Sequence, residues 1–222
     1  MTKRPFRARG ARTTIGRMYQ GERLNGYTHL AGSVLALGGA ATLVSMATMK
    51  GDPWRIASFS IYGATLLALY LASTVYHSTR GRAKRIFRKL DHSAIYLMIA
   101  GSYTPFALVT LRGSLGWTLF AASWGLALAG ILQELWLAKG ARFASLAIYM
   151  TMGWMGLLVV EPLVRALTWG GFEWLLAGGA IYTLGVVFYL FDERFRHWHG
   201  IWHLCVVAGS ALHFMAVLKF VA

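Results

Sequence analysis

The stretch that decides the fold is His199-Gly-Ile-Trp-His203-Leu-Cys-Val-Val-Ala-Gly-Ser-Ala-Leu-His213-Phe-Met-Ala-Val-Leu-Lys219-Phe220. It contains no acid, and Lys219 lies at its very end. A helix needs about 20 predominantly apolar residues to cross a bilayer, and this stretch supplies them. Two histidines open it four residues apart, so on a helix both imidazoles stand on one face, one turn above the other. Histidine within a membrane segment is rare and marks a functional site by default.

Runs of the same kind recur along almost the whole chain of 222 residues, of which 57% are apolar and 14% charged. Such a chain cannot bury its apolar surface in one soluble core under a normally charged exterior. The reading is an all-α membrane protein of seven transmembrane helices, at about residues 24–49, 54–78, 90–111, 114–137, 143–163, 172–191 and 199–220. Residues 1–21 form a basic cytoplasmic tail, residues 22–222 form the seven-helix transmembrane domain, and no segment makes a separate soluble domain. The first span has no convincing cleavage box and is read as retained. Gly51-Asp52-Pro53 marks a turn, residues 80–89 a basic loop, and residues 164–171 another loop. Pro105 removes a backbone hydrogen bond inside the third span and predicts a kink. The single cysteine, Cys205, has no intrachain disulfide partner.

The net charge of +14 invites a nucleic-acid reading. Its placement argues against one, because the bases cluster at span ends, where they set topology and meet lipid headgroups. With the N-terminus inside, the cytoplasmic side holds 17 of the 22 basic residues. The other side holds Lys50, Arg55, Arg112, Arg165 and Lys219. Basic residues accumulate on the cytoplasmic side, so the N-terminus is cytoplasmic, the C-terminus outside, and the location the cell inner (plasma) membrane.

That topology brings polar residues together. The second span ends on the inner side at His77, the third begins there at Asp91, and the seventh begins there at His199 and His203. Ser73 lies one turn before His77 on the same face. Three histidines with an open fourth position match a catalytic zinc site. Zinc lowers the pKa of a bound water to about 7. Asp91 is the candidate base, and Ser73 the candidate hydrogen-bond donor to water or to a substrate carbonyl. His92 points away from the face of Asp91, and His213 lies about 15 Å deeper than His203, where a buried hydrogen bond to another span is expected. His29 is an inner-side polar contact or a group behind the ligands. Glu22, Asn25 and Thr28 read as helix capping and interfacial solvation. Glu161 lies on the outer side, out of reach.

Four stretches carry a family resemblance: Asn25-Gly-Tyr-Thr-His29; Ser73-Thr-Val-Tyr-His77; Leu90-Asp91-His-Ser-Ala-Ile-Tyr96 with Gly101-Ser-Tyr-Thr-Pro105; and His199-Gly-Ile-Trp-His203 continuing to His213-Phe. Over about residues 22–215 the sequence resembles the hemolysin III branch of the progestin and adipoQ receptor (PAQR) family. The resemblance implies seven helices with a cytoplasmic N-terminus. It also implies zinc held by His77, His199 and His203, with Asp91 and Ser73 beside the water. Eukaryotic members are linked to ceramide hydrolysis, and bacterial members carry the hemolysin name.

Two functions follow as expectations. One is a ceramidase-like hydrolase, with zinc as cofactor, that cleaves an amide or ester bond of a membrane lipid. The alternative is a non-enzymatic hemolysin III-type protein, pore-forming or regulating membrane state, with structural zinc. Membrane lipids are the expected partners. The sequence leaves the oligomeric state open.

Overall fold

A computed structural model describes residues 21–137 and 142–222. The basic tail up to residue 20 and residues 138–141 lie outside the described residues. Every regular element among the described residues is helical. The first is α1 (Arg23–Lys50), followed by α2 (Pro53–Ser78) and α3 (Gly81–Pro105). Then come α4 (Gly113–Leu132), α5 (Arg142–Trp154), α6 (Val160–Leu190) and α7 (Trp198–Phe220).

Local chemistry sets the boundaries. Gly51 ends α1 at φ 66°, a left-handed conformation that glycine adopts without a Cβ clash. Asp52 then caps α2, accepting the Trp54 N–H at 2.9 Å and the Arg55 N–H at 3.2 Å, with Pro53 in the first helical position. At Pro105 the missing N–H and the bulk of the ring end the α-helical pattern. The chain continues as a wider π-helical segment, Phe106–Leu111, which is the form the expected kink takes. A second such segment, Gln133–Leu137, extends α4 and carries Glu134.

Six helical stretches among the described residues are long and apolar enough to cross a membrane. The fifth, Arg142–Leu190, spans 49 residues. Run straight it would reach about 74 Å, more than twice a hydrocarbon core of about 30 Å. It is not straight. Thr168 leaves the helix at φ 62° and ψ 170°, and Arg142 at one end binds Asp192 just past the other at 2.7 Å. The stretch therefore doubles back, and midway the Trp154 indole N–H reaches Thr183 Oγ1 at 3.1 Å.

Two boundaries differ from the sequence reading. The expected loop at 164–171 is helical on both sides of Thr168. Leu163, Leu167 and Phe172 are buried there, and a buried backbone satisfies its polar groups best inside a helix. The expected basic loop at 80–89 is the start of α3, which begins at Gly81. Its lysines extend to polar partners as long side chains do at an interface: Lys84 Nζ lies 2.8 Å from Glu22 Oε1, and Lys89 Nζ 2.9 Å from the Leu135 carbonyl.

The packing is that of a lipid-solvated bundle. Val34, Leu35, Leu37, Leu128 and Leu158 are exposed, whereas Ser58, Thr104 and Ser123 are buried. Apolar outside and small or polar inside is what hydrocarbon solvent favours. Glycines let helices touch: a Cβ at Gly101 would overlap Thr65 Oγ1, and one at Gly178 the ring of His213. Exposed Trp54, Trp117 and Trp169 lie at one end of the bundle and exposed Trp136 and Phe143 at the other, the levels at which aromatic rings meet headgroups. The chain is a multi-pass integral membrane protein.

Candidate metal centre

The end of α2 and the start of α7 meet at one end of the bundle. His77, His199 and His203 each turn a ligand atom toward the others, all within 4.8 Å of one another. Ring centroids stand 4.7 Å apart for His199 and His203, 4.9 Å for His77 and His203, and 5.3 Å for His77 and His199. These are the three residues expected from the sequence as ligands, and the structure brings them together as a group that could hold a metal ion. Ser73 and Asp91 are buried and line the same cavity as the three rings.

Each of the three histidines is held from behind through Nδ1. His203 donates to the Asn25 carbonyl at 3.0 Å. His199 Nδ1 lies 2.6 Å from Asp192 Oδ2, and His77 Nδ1 bonds Glu22 Oε2. A carbonyl only accepts, so His203 carries its proton on Nδ1 and keeps the lone pair on Nε2. The two carboxylates favour the same tautomer in His77 and His199. His77 Nε2 is buried and makes no hydrogen bond within the protein. Three imidazoles engaged from behind at Nδ1 leave Nε2 as the donor atom that a zinc-like cation takes. By donor chemistry and second-layer support, the residues fit the metal.

A further layer backs the carboxylates. Glu22 Oε1 lies 2.8 Å from Lys84 Nζ, and Asp192 Oδ1 lies 2.7 Å from Arg142. Burial pushes the Glu22 carboxyl up, but its hydrogen bonds to His77 and Lys84 prevail and hold it well below the usual carboxylate range. Asp192 behaves alike: burial raises it, and the bonds to His199 and Arg142 outweigh that and hold it down. Both acids therefore face the rings as anions.

The first helix contributes more than capping. Glu22, Asn25 and His29 follow helical spacing and address one face of α1 to the centre. His29 is buried and stacks on His203, with centroids 3.7 Å apart and planes 15° from parallel. Glu22, Asn25, Asp192 and Arg142 went unassigned as site residues in the sequence. The signal available for them was the Glu22-x-x-Asn25-x-x-x-His29 spacing and an acid seven residues before His199. Other polar groups lie apart from the centre. His92 binds Glu134 at 3.1 Å, and Ser145 binds the same carboxylate at 3.2 Å. Glu161 pairs with Arg165 at the far end. His213 donates from Nε2 to the Leu175 carbonyl at 3.1 Å, the interhelical bond expected of it.

The centre opens into a cavity of about 920 Å³. Glu22, His77, Asp91 and His199 line it near the three rings, and Leu69, Met98, Phe106, Leu163 and Phe172 are among its apolar lining.

The sequence pattern of the family described as "Haemolysin-III related" matches residues 18–214. The chain belongs to the haemolysin III family. Within that family it is 41% identical to Hemolysin-3 of Bacillus cereus over 210 residues, covering 94% of this chain and 95% of that protein. It is 42% identical over 200 residues to the Hemolysin-3 homolog of Bacillus subtilis, covering 90% and 93%. Monocyte to macrophage differentiation factor of Homo sapiens is 32% identical over 202 residues, covering 88% and 82%. The match to both bacterial and human relatives agrees with the hemolysin III branch of the PAQR family. All five sequence-derived site residues lie inside the matched range.

Proposed function

We propose that this haemolysin III protein is a zinc-dependent hydrolase of the inner membrane, cleaving an amide or ester bond of a membrane lipid. Counting the folded Arg142–Leu190 stretch as two spans gives seven. The distribution of basic residues supports a cytoplasmic N-terminus, an outer C-terminus and a centre near the inner face.

In this reading His77, His199 and His203 hold the ion through Nε2. Zinc there supplies Lewis acidity and makes a water acidic enough to ionise near pH 7. Asp91 accepts the proton of the attacking water and returns it to the nitrogen or oxygen released when the acyl bond breaks. Ser73, buried at the polar end of the cavity, donates to the substrate carbonyl oxygen. The apolar walls hold the acyl chain and keep bulk water from the reacting bond.

One observation carries this reading: spare imidazole nitrogens and a buried carboxylate share the polar end of a large apolar cavity. The test is mass-spectrometric detection of fatty acid released from N-acyl and O-acyl lipids by zinc-loaded protein. His203→Ala and Asp91→Asn should each abolish release. Equal release from wild type and both variants would remove the hydrolase reading.

A second reading has its own observation. The three rings and their Nδ1 acceptors tie together α1, α2, the segment after α6, and α7, as a structural metal would. In a non-enzymatic membrane protein, Asp91→Asn leaves function intact and chelation lowers thermal stability.

A further inference from the structure

The cavity has a second polar point that the proposed chemistry does not use. His213 stands ten residues beyond His203 on α7, about 15 Å deeper into the bundle. It lines the same cavity as the ligand histidines. Its Nε2–H is committed to the Leu175 carbonyl at 3.1 Å. The Nε2 and Cδ2 edge is pressed against α6, where a Cβ on Gly178 would overlap both atoms. The carbonyl fixes the tautomer, so Nδ1, on the other side of the ring, is a pure acceptor.

The surroundings favour that assignment. Tyr182 packs edge-on to His213, with ring centroids 5.4 Å apart. Its hydroxyl already shares a 2.8 Å hydrogen bond with Ser210 Oγ. Met98, Val206 and Phe172 are among the apolar residues that line the same cavity. A ring acceptor in such a lining costs free energy unless something donates to it. An all-methylene chain brings no donor, whereas a chain bearing a hydroxyl does.

We propose that His213 is a specificity subsite for a hydrogen-bond donor, a hydroxyl group, carried on the acyl chain of the ligand about 15 Å from the metal centre. The inference rests on the reading of the cavity as a lipid site, but needs no turnover. A good hydrogen bond to a buried partner is worth about tenfold in affinity. Leaving the acceptor uncovered penalises the plain chain further.

The test uses stearate and 12-hydroxystearate as probes, measuring binding to the full-length, zinc-loaded protein in detergent by native mass spectrometry. Wild type should bind the hydroxylated chain about tenfold more tightly. His213→Phe, similar in size without the acceptor, should bind both chains alike. His213→Asn, which keeps a donor for Leu175 and an acceptor for the ligand, should restore part of the preference. If the Phe variant does not fold, His213→Leu is read in the same way. Equal binding by wild type, or a preference that survives in the Phe or Leu variant, overturns the inference. Fatty acids have no acyl bond to break, so the preference is independent of hydrolysis. A protein that hydrolyses lipids without it sinks only this proposal.

Discussion

His203 on the last helix donates its Nδ1 proton to the carbonyl of Asn25 on the first, 3.0 Å away. The acceptor is backbone, so no side-chain exchange at position 25 removes it, and the tautomer of His203 is set by the fold. Long-range proton–nitrogen correlation on metal-free, histidine-labelled protein should show His203 protonated at Nδ1 and unprotonated at Nε2. A spectrum with the proton on Nε2 would contradict the arrangement of spare nitrogens described for the centre.

Asp192 and Glu22 hold the other two ligand rings. Removing one such partner typically costs 10–100-fold in metal affinity. Asp192→Ala and Glu22→Ala should each weaken zinc binding by about 10–100-fold in competition with a chromophoric chelator. Asp192→Asn, which keeps an oxygen acceptor but not the charge, should fall between wild type and Asp192→Ala. Unchanged affinity in both alanine variants would mean the rings hold themselves.

The first, second, fourth and seventh apolar spans, the His-x3-His pair and the Ser73–His77 spacing were legible in the sequence, because apolar runs and i,i+4 spacing translate directly into helices and faces. The support layer was not. Glu22, Asn25 and Asp192 reach the centre only after the ends of α1, α2 and α7 converge, and local spacing reads them as caps and loop. The Asn25 contribution is a backbone carbonyl, which no side-chain pattern reveals. The helical course of residues 164–171 was hidden because Gly170 and Gly171 suggest a turn. The structure concentrates the break at Thr168.

Asp52 at the opposite end caps α2 and lies 3.4 Å from Arg112. Burial raises its carboxyl, but hydrogen bonds from the Arg55 backbone and side chain and from the Trp54 N–H together outweigh that and hold it below its ordinary 3.8. A depressed folded-state value stabilises above the unfolded value and is lost as pH falls through the folded one. Wild type should therefore lose a part of its thermal stability below about pH 4 that Asp52→Ala lacks throughout. At neutral pH Asp52→Ala should cost about 1 kcal/mol. Identical pH profiles for the two proteins would show that the cap contributes nothing.

Gly101 touches Thr65 where α3 crosses α2. Gly101→Ala should destabilise the bundle by about 1–3 kcal/mol through overpacking, read as a lower thermal midpoint in detergent. Thr65→Ala in the same chain removes Oγ1 and should recover part of the loss. Gly101→Ala as stable as wild type would mean these helices do not pack at that depth.

The central claim is that His77, His199 and His203 together hold one zinc ion. Elemental analysis of the purified protein, comparing wild type with His77→Ala and His199→Ala, tests it most directly. The account predicts near-stoichiometric zinc in wild type and its loss in both variants, each confirmed as folded by its thermal transition. Zinc retained at wild-type level in either folded variant, or a wild-type protein that takes up no zinc on titration, would contradict it.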